Sequence, residues 1–335
     1  MKYRIKQRIL LLFIPLMTMI ACFEEDTAVL PYPGDVTTIA DSVQAYQSFF
    51  DFETGSTVKV SPSNAWQLGF ECGNNGWHII TNSGAGWFIY NTMQGNPDAS
   101  VTMPSSIEHL YDIPHDFPDS TAVGNWVSFT GTGNIYTGYV YLLGQLYNGK
   151  FIGIKKLIFD AVDDTAYFFR YTDSGSSLTD TVVIGKKPFL NFTYFSFDKK
   201  EQVDIEPTAQ EYDLVFGPYY DLATNFGITI PYMVGGALLN TWNTTIVIDT
   251  ITDFNRIDIN RVPGYDFTNQ KDIPGYKWKS VTVDISAGGS ATYNIKSNYT
   301  YIIHTATDNY FKFRFLSYTL NGRSGYPQFE MKQLN

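Results

Sequence analysis

The chain has 335 residues, of which 44% are hydrophobic, 16% aromatic and only 17% charged. That mix excludes a disordered chain, a coiled coil and a collagen-like repeat, and the length suits about two average domains. A formal charge of −10 supplies no basic stripe for a phosphate backbone, which argues against nucleic acid as a partner.

Taken in chain order, the first element is an address label. Lys2, Arg4, Lys6 and Arg8 precede an apolar run, Ile9 to Ile20, that is too short to span a bilayer comfortably. The following Met19-Ile20-Ala21-Cys22 resembles a bacterial lipobox. Residues 1–21 are therefore expected to be a lipoprotein signal peptide, and Cys22 a lipidated N-terminus that ties the chain to a membrane without spanning it. An acidic linker is expected over 22–43, and its Glu24-Glu25-Asp26 resembles the surface-export signal of lipoproteins from the Bacteroidetes. The expected location is the outer membrane, with the protein displayed at the cell surface. Removal of the signal leaves 19 basic and 33 acidic residues, a charge of −14. With Cys22 acylated, Cys72 has no cysteine partner, so stability must come from core burial.

The remainder is rich in Tyr, Phe, Thr, Ile and Val, residues that suit a pleated, half-buried surface, and it contains one unit written twice. At an offset of 145, Phe50, Phe52, Val58, Val60 and Pro62 face Phe195, Phe197, Val203, Ile205 and Pro207. One inserted residue later, Trp66, Leu68 and Phe70 face Tyr212, Leu214 and Phe216. Apolar positions two apart mark strands that bury one face. The ends match too: 139–143, 148–154 and 167–171 fall in the same order as 299–303, 308–315 and 328–331. Asn148-Gly149 and Asp308-Asn309 are hairpin-turn dipeptides. The expected fold is all-β: two tandem antiparallel β-sandwich-like domains at 44–175 and 188–335, with the polar stretch Asp173 to Ser177 at the boundary.

The Phe-x-Phe strand, Tyr212-Asp-Leu-Val-Phe216, Pro274-Gly-Tyr-Lys-Trp278 and Tyr310-Phe-Lys-Phe-Arg-Phe315, with Trp66-Gln-Leu-Gly-Phe70 and Thr81-Asn-Ser-Gly84 in the first copy, resemble the HmuY-like lipoproteins. The second copy is the closer match. The resemblance implies a non-enzymatic hemophore that holds haem between two axial ligands, His in some members and Met in others, and hands it to an outer-membrane uptake system such as a TonB-dependent receptor. Haem or haemoproteins are then the expected partners. An iron needs a soft or imidazole donor on each face. In the first copy Met93, Met103, His109 and His115 follow the Trp87-Phe-Ile-Tyr90 strand, whereas the middle of the second copy holds Met233 alone. Met93 with either Met103 or His109 is the expected ligand pair. The alternative is a cell-surface module for glycan or protein that does not ligate haem.

Other chemistry finds little purchase. The histidines lack the short spacing of zinc sites, no Gly-x-Ser-x-Gly elbow is present, and Gly84-Ala-Gly86 and Gly288-Gly289 precede no helical pattern. Asp160, Asp163 and Asp164 depart from EF-hand spacing and read as a polar turn. The Trp and Tyr residues of 77–90 and 218–242 either line a groove or fill a core.

Overall fold

The computed structural model describes residues 25–335 except 32–34, 74, 105–109, 148–149, 174–177, 179–180, 226–227, 243 and 285–289. The signal peptide, Cys22, His109, the Asn148-Gly149 turn, most of the expected boundary and Gly288-Gly289 lie outside the described residues.

Among the described residues strands account for nearly all the regular structure, with three short 3-10 turns, and the pairing is antiparallel apart from Glu25–Thr27, which runs parallel to Ser290–Ile295. Each copy of the sequence unit ends in a meander. In the first it is Val140–Tyr147, Lys150–Val162 and Ala166–Asp173, and in the second Thr300–His304, Tyr310–Leu320 and Arg323–Gln333. Trp87–Asn91 flanks the first meander and Thr245–Asp249 flanks the second at the equivalent edge. Asp308 takes φ +65°, the left-handed conformation that its tight turn requires.

The copies do not close on themselves. The Tyr46–Asp51 strand of the first copy pairs with Leu214–Asn225 of the second, while Phe192–Ser196 of the second pairs with Leu68–Glu71 of the first. The register is the same in both places: Phe50 stands opposite Leu214, and Phe195 opposite Leu68. Hydrogen bonds repeat the relation. Phe52 N donates to the Asp213 carboxylate at 2.9 Å, and Phe197 N to Gln67 Oε1 at 2.7 Å. Each copy thus lends its opening hairpin to the other, and 44–175 and 188–335 divide the sequence into copies without dividing the structure into bodies.

Chain connectivity accounts for this exchange. Within one copy, a Leu68–Glu71 strand lying antiparallel to Tyr46–Asp51 would run parallel to Ser56–Pro62. Parallel strands need a crossover of a dozen or more residues. Only Ser63 to Gln67 lie between Ser56–Pro62 and Leu68–Glu71, and only 204–213 between Glu201–Val203 and Leu214–Asn225. Five or ten residues are too few, so each hairpin must find the other copy's strand.

Two lobes result. The first lobe is continuous, running from Leu68 through Val203, and Phe195 and Phe197 enter its core beside Phe70, Phe159 and Phe169. The second joins 36–62 to the strands from Leu214 onward, and Val43, Phe50 and Phe52 enter its core beside Phe216, Phe313 and Phe329. Where the lobes meet, Phe49, Trp66, Phe192, Tyr194, Ile205 and Tyr212 form a third buried cluster. Among the described residues no helix is long and apolar enough to cross a membrane.

Candidate functional site

A cavity of about 380 Å³ lies against that third cluster, with walls from both lobes. Equivalent asparagines brace it. Asn82 Nδ2 donates to Ser63 O and Trp66 O, and Asn240 Nδ2 to Ala209 O and Tyr212 O. Among the described residues, three carboxylates and one ammonium line the cavity: Glu71, Asp112, Glu206 and Lys271.

All three carboxylates are committed to the protein: Glu71 accepts from Trp77 N and His78 N and pairs with the His78 ring at 2.6 Å. Glu206 accepts from Phe192 N at 2.7 Å and from the Tyr194 hydroxyl at 2.9 Å, while the Tyr212 hydroxyl, itself accepting from Asn191, lies 3.5 Å away. Asp112 accepts from the Thr81 amide and hydroxyl and from Ala122 N. Burial pushes the Glu206 carboxyl up to about 7 and that of Asp112 up to about 6, against the downward pull of those donors. Burial likewise brings the Lys271 ammonium down to about 8, opposed by the carboxylates of Glu206 and Asp112. Lys271 Nζ sits 3.9 Å from the centre of the Phe117 ring.

A second feature spans the lobes nearby. Tyr111 of the first lobe stacks on Tyr220 of the second, with ring centres 3.9 Å apart and planes 4° from parallel. Tyr220 faces Met233 across the long hairpin Leu214–Asn225/Ile228–Leu239, and directly opposed residues share a face of the sheet. On the other side, Phe88 meets Tyr111 at 5.8 Å and Phe151 at 5.3 Å. Gly144 lies beneath Phe88 and Met103: a Cβ there would come within 3.0 Å of Phe88 Cζ and 3.4 Å of Met103 Cε. An aromatic platform therefore runs between two thioethers, those of Met103 and Met233.

The residues singled out from sequence are placed as follows. Met93 is 74% exposed, at φ +55°, in a loop that Thr92 fastens to Val140 O. Met103 lies beside Gly144, about 13 Å further along the same strand. Cys22 and His109 lie outside the described residues. His78 binds Glu71 at 2.6 Å, His304 binds Asp308 at 2.8 Å, and His115 contacts Gln270 and Asp272. Asp160 chelates Arg170, and Asp163 caps its own turn. The cavity's ionisable group escaped the sequence reading because Glu71, Asp112, Glu206 and Lys271 are far apart in the chain and belong to no motif. Of the aromatic residues in 77–90 and 218–242, Tyr219 and Trp242 line the cavity, whereas Trp77 and Trp87 pack against the core of the first lobe.

The fold defines an all-β protein of two lobes, built from a duplicated unit whose opening hairpins are exchanged. Residues 190–331 match the family described as HmuY protein, and this part of the chain is HmuY-like. The matched span is one copy of the sequence unit, and it contributes strands to both lobes. A search of curated proteins finds no match. Among solved structures, the chain is similar to a Bacteroides vulgatus protein provisionally described as an HmuY-like heme-binding protein. Identity is 10%, covering 92% of this chain and 96% of that one at a TM-score of 0.22, a score too low to support any reading of the architecture.

Proposed function

We propose that this is a surface lipoprotein, anchored through Cys22 in the outer membrane, that captures haem without enzymatic chemistry and delivers it to a TonB-dependent receptor. The HmuY match over 190–331 carries this reading. The residues present suit the group. When bound, haem would present an iron that takes soft or imidazole donors and a flat apolar ring that needs an apolar face. Met103 and Met233 stand at opposite ends of the aromatic platform, with Phe88, Tyr111 and Tyr220 between them, so each would serve as a donor by itself and not as the two faces of one iron. The Met233 side is 42% exposed, with Leu222 beside it at 40%. Met93, held in a backbone conformation uncommon for a residue with a side chain, and His109 are the further donors. The inter-lobe cavity is a separate place: among the described residues no His, Met or Cys lines it.

Hemin titration of the soluble mature chain tests the proposal. A Soret shift is expected, and it should weaken when Met103 or Met233 is replaced by Ala. No shift, or a shift indifferent to replacement of Met93, Met103, His109 and Met233 in turn, overturns it.

A further inference from the structure

We propose that the inter-lobe cavity is a second binding site, for an aromatic carboxylate whose acid group lies against the Lys271 ammonium. The inference starts from an unfinished hydrogen-bond account. A partly covered lysine commonly gives its protons to carbonyl or carboxylate oxygens, and several such lysines of this protein do so. Lys279 donates to Gly235 O at 2.8 Å, Lys186 to Gly76 O at 2.7 Å, Lys156 to Pro97 O at 2.8 Å and Lys312 to Ile257 O at 2.9 Å. Lys271 Nζ has no hydrogen bond or ion pair among the described residues, and its close contact is the face of Phe117.

The cavity's remaining capacity is on the donor side. Glu206 and Asp112 are occupied by amides and hydroxyls of their own lobes. Gln47 spends its carbonyl oxygen on Trp66 Nε1 at 2.8 Å, and its amide protons have no acceptor among the described residues. A ligand that completes these donors must bring acceptors. Its charge is bounded as well: Glu71, Asp112 and Glu206 stand on the walls with a single ammonium, so a phosphate dianion meets repulsion and one negative charge, placed against Lys271, is the most the site can hold. Phe49, Phe117, Phe192, Trp66 and Trp242 supply flat apolar walls, and about 380 Å³ is within the range of small-molecule sites.

Lys271 belongs to the second lobe, whereas Asp112 and Phe117 belong to the first. An occupant therefore touches both lobes. Among the described residues no imidazole or thioether stands on its walls, and the site is assayed without hemin.

The test uses the mature chain, naphthoate and its neutral counterpart naphthamide, followed by calorimetry and tryptophan fluorescence. Naphthoate is expected to bind about tenfold or more tightly than the amide, as a charge-assisted hydrogen bond provides. Lys271→Met should erase that preference while a thermal melt shows a folded protein. If that variant fails to fold, the wild type at pH about 9.5, above the lowered value of Lys271, should lose the preference instead. Absence of naphthoate binding, equal binding of acid and amide, or a preference that survives in folded Lys271→Met or at the higher pH overturns the assignment.

Discussion

Leu68 stands directly opposite Phe195, its sheet partner from the other copy of the sequence unit. The equivalent pair, Phe50 and Leu214, is formed in the same register on the other side of the molecule. Because both hairpins cross, each core holds aromatic rings that belong in sequence to the opposite copy. Phe195 packs at 5.4 Å from Phe169, and Phe50 at 5.0 Å from Phe329.

Fragments distinguish the exchanged arrangement from tandem domains. Residues 63–206 contain every strand of the first lobe and are expected to fold alone. Residues 44–175 lack Phe192–Ser196 and leave the edge of Leu68–Glu71 unpaired, an invitation to aggregate. Near-UV circular dichroism and cooperative melting check both, and the opposite outcome, with 44–175 folded and 63–206 not, contradicts the pairing.

Asn82 and Asn240 fix the walls at equivalent positions, each fully buried side chain tying two carbonyls. Replacing either by Ala strands those carbonyls and should cost about 2–3 kcal/mol in urea unfolding. The double variant should be additive, since the two sites share no partner. A loss under about 0.5 kcal/mol in both single variants is incompatible with this role.

Gly84 is a point of backbone contact between the first lobe and the long hairpin of the second. A Cβ there would lie 2.1 Å from Pro218 O, a backbone atom in a paired strand. Gly84→Ala therefore has to displace one lobe from the other. We expect a loss of about 1–3 kcal/mol, the range of core overpacking. Gly95→Ala, with nothing within 4 Å of its new methyl, serves as the silent control in the same denaturation series.

The pH dependence follows from Glu206. Burial raises its folded value to about 7, above the ordinary 4.5, so between those limits the native state holds a proton that the unfolded chain has released. Its contribution is complete below about 4.5 and is lost as pH rises through 7, on the order of 3 kcal/mol in all. Asp213, also raised to about 7 by burial, acts in the same direction. Lys271 acts oppositely at high pH: its lowered value of about 8 means stability is regained as pH climbs from there towards 10.5. Glu206→Gln should make the acid limb shallower in urea titrations between pH about 4.5 and 7.5. An unchanged slope means that the carboxyl is not protonated in the native state.

Much of the fold is legible in the residues because its causes are local and periodic. Alternation in Phe50-Asp-Phe52 and Phe195-Ser-Phe197 marks strands that bury one face, and Asp308 marks its turn through a conformation that few residue types tolerate. The candidate site is far less legible. Met103 and Met233 show no spacing that relates them, and the platform joining them depends on Tyr111 meeting Tyr220 across the lobes. The exchange itself left one trace in the sequence, the five residues between Pro62 and Leu68, which are too few for the crossover that a self-contained copy requires.

By itself the sequence determined that the chain is all-β, that it carries one unit twice, and which residues turn inward, since each of these follows from side-chain chemistry repeated at strand spacing. Tertiary structure decided which copy each hairpin joins, and with it the cavity and the company of Lys271. Two nearly identical strand edges offer a hairpin the same hydrogen bonds and the same apolar contacts. Only the reach of the connecting chain, realised in three dimensions, separates one partner from the other.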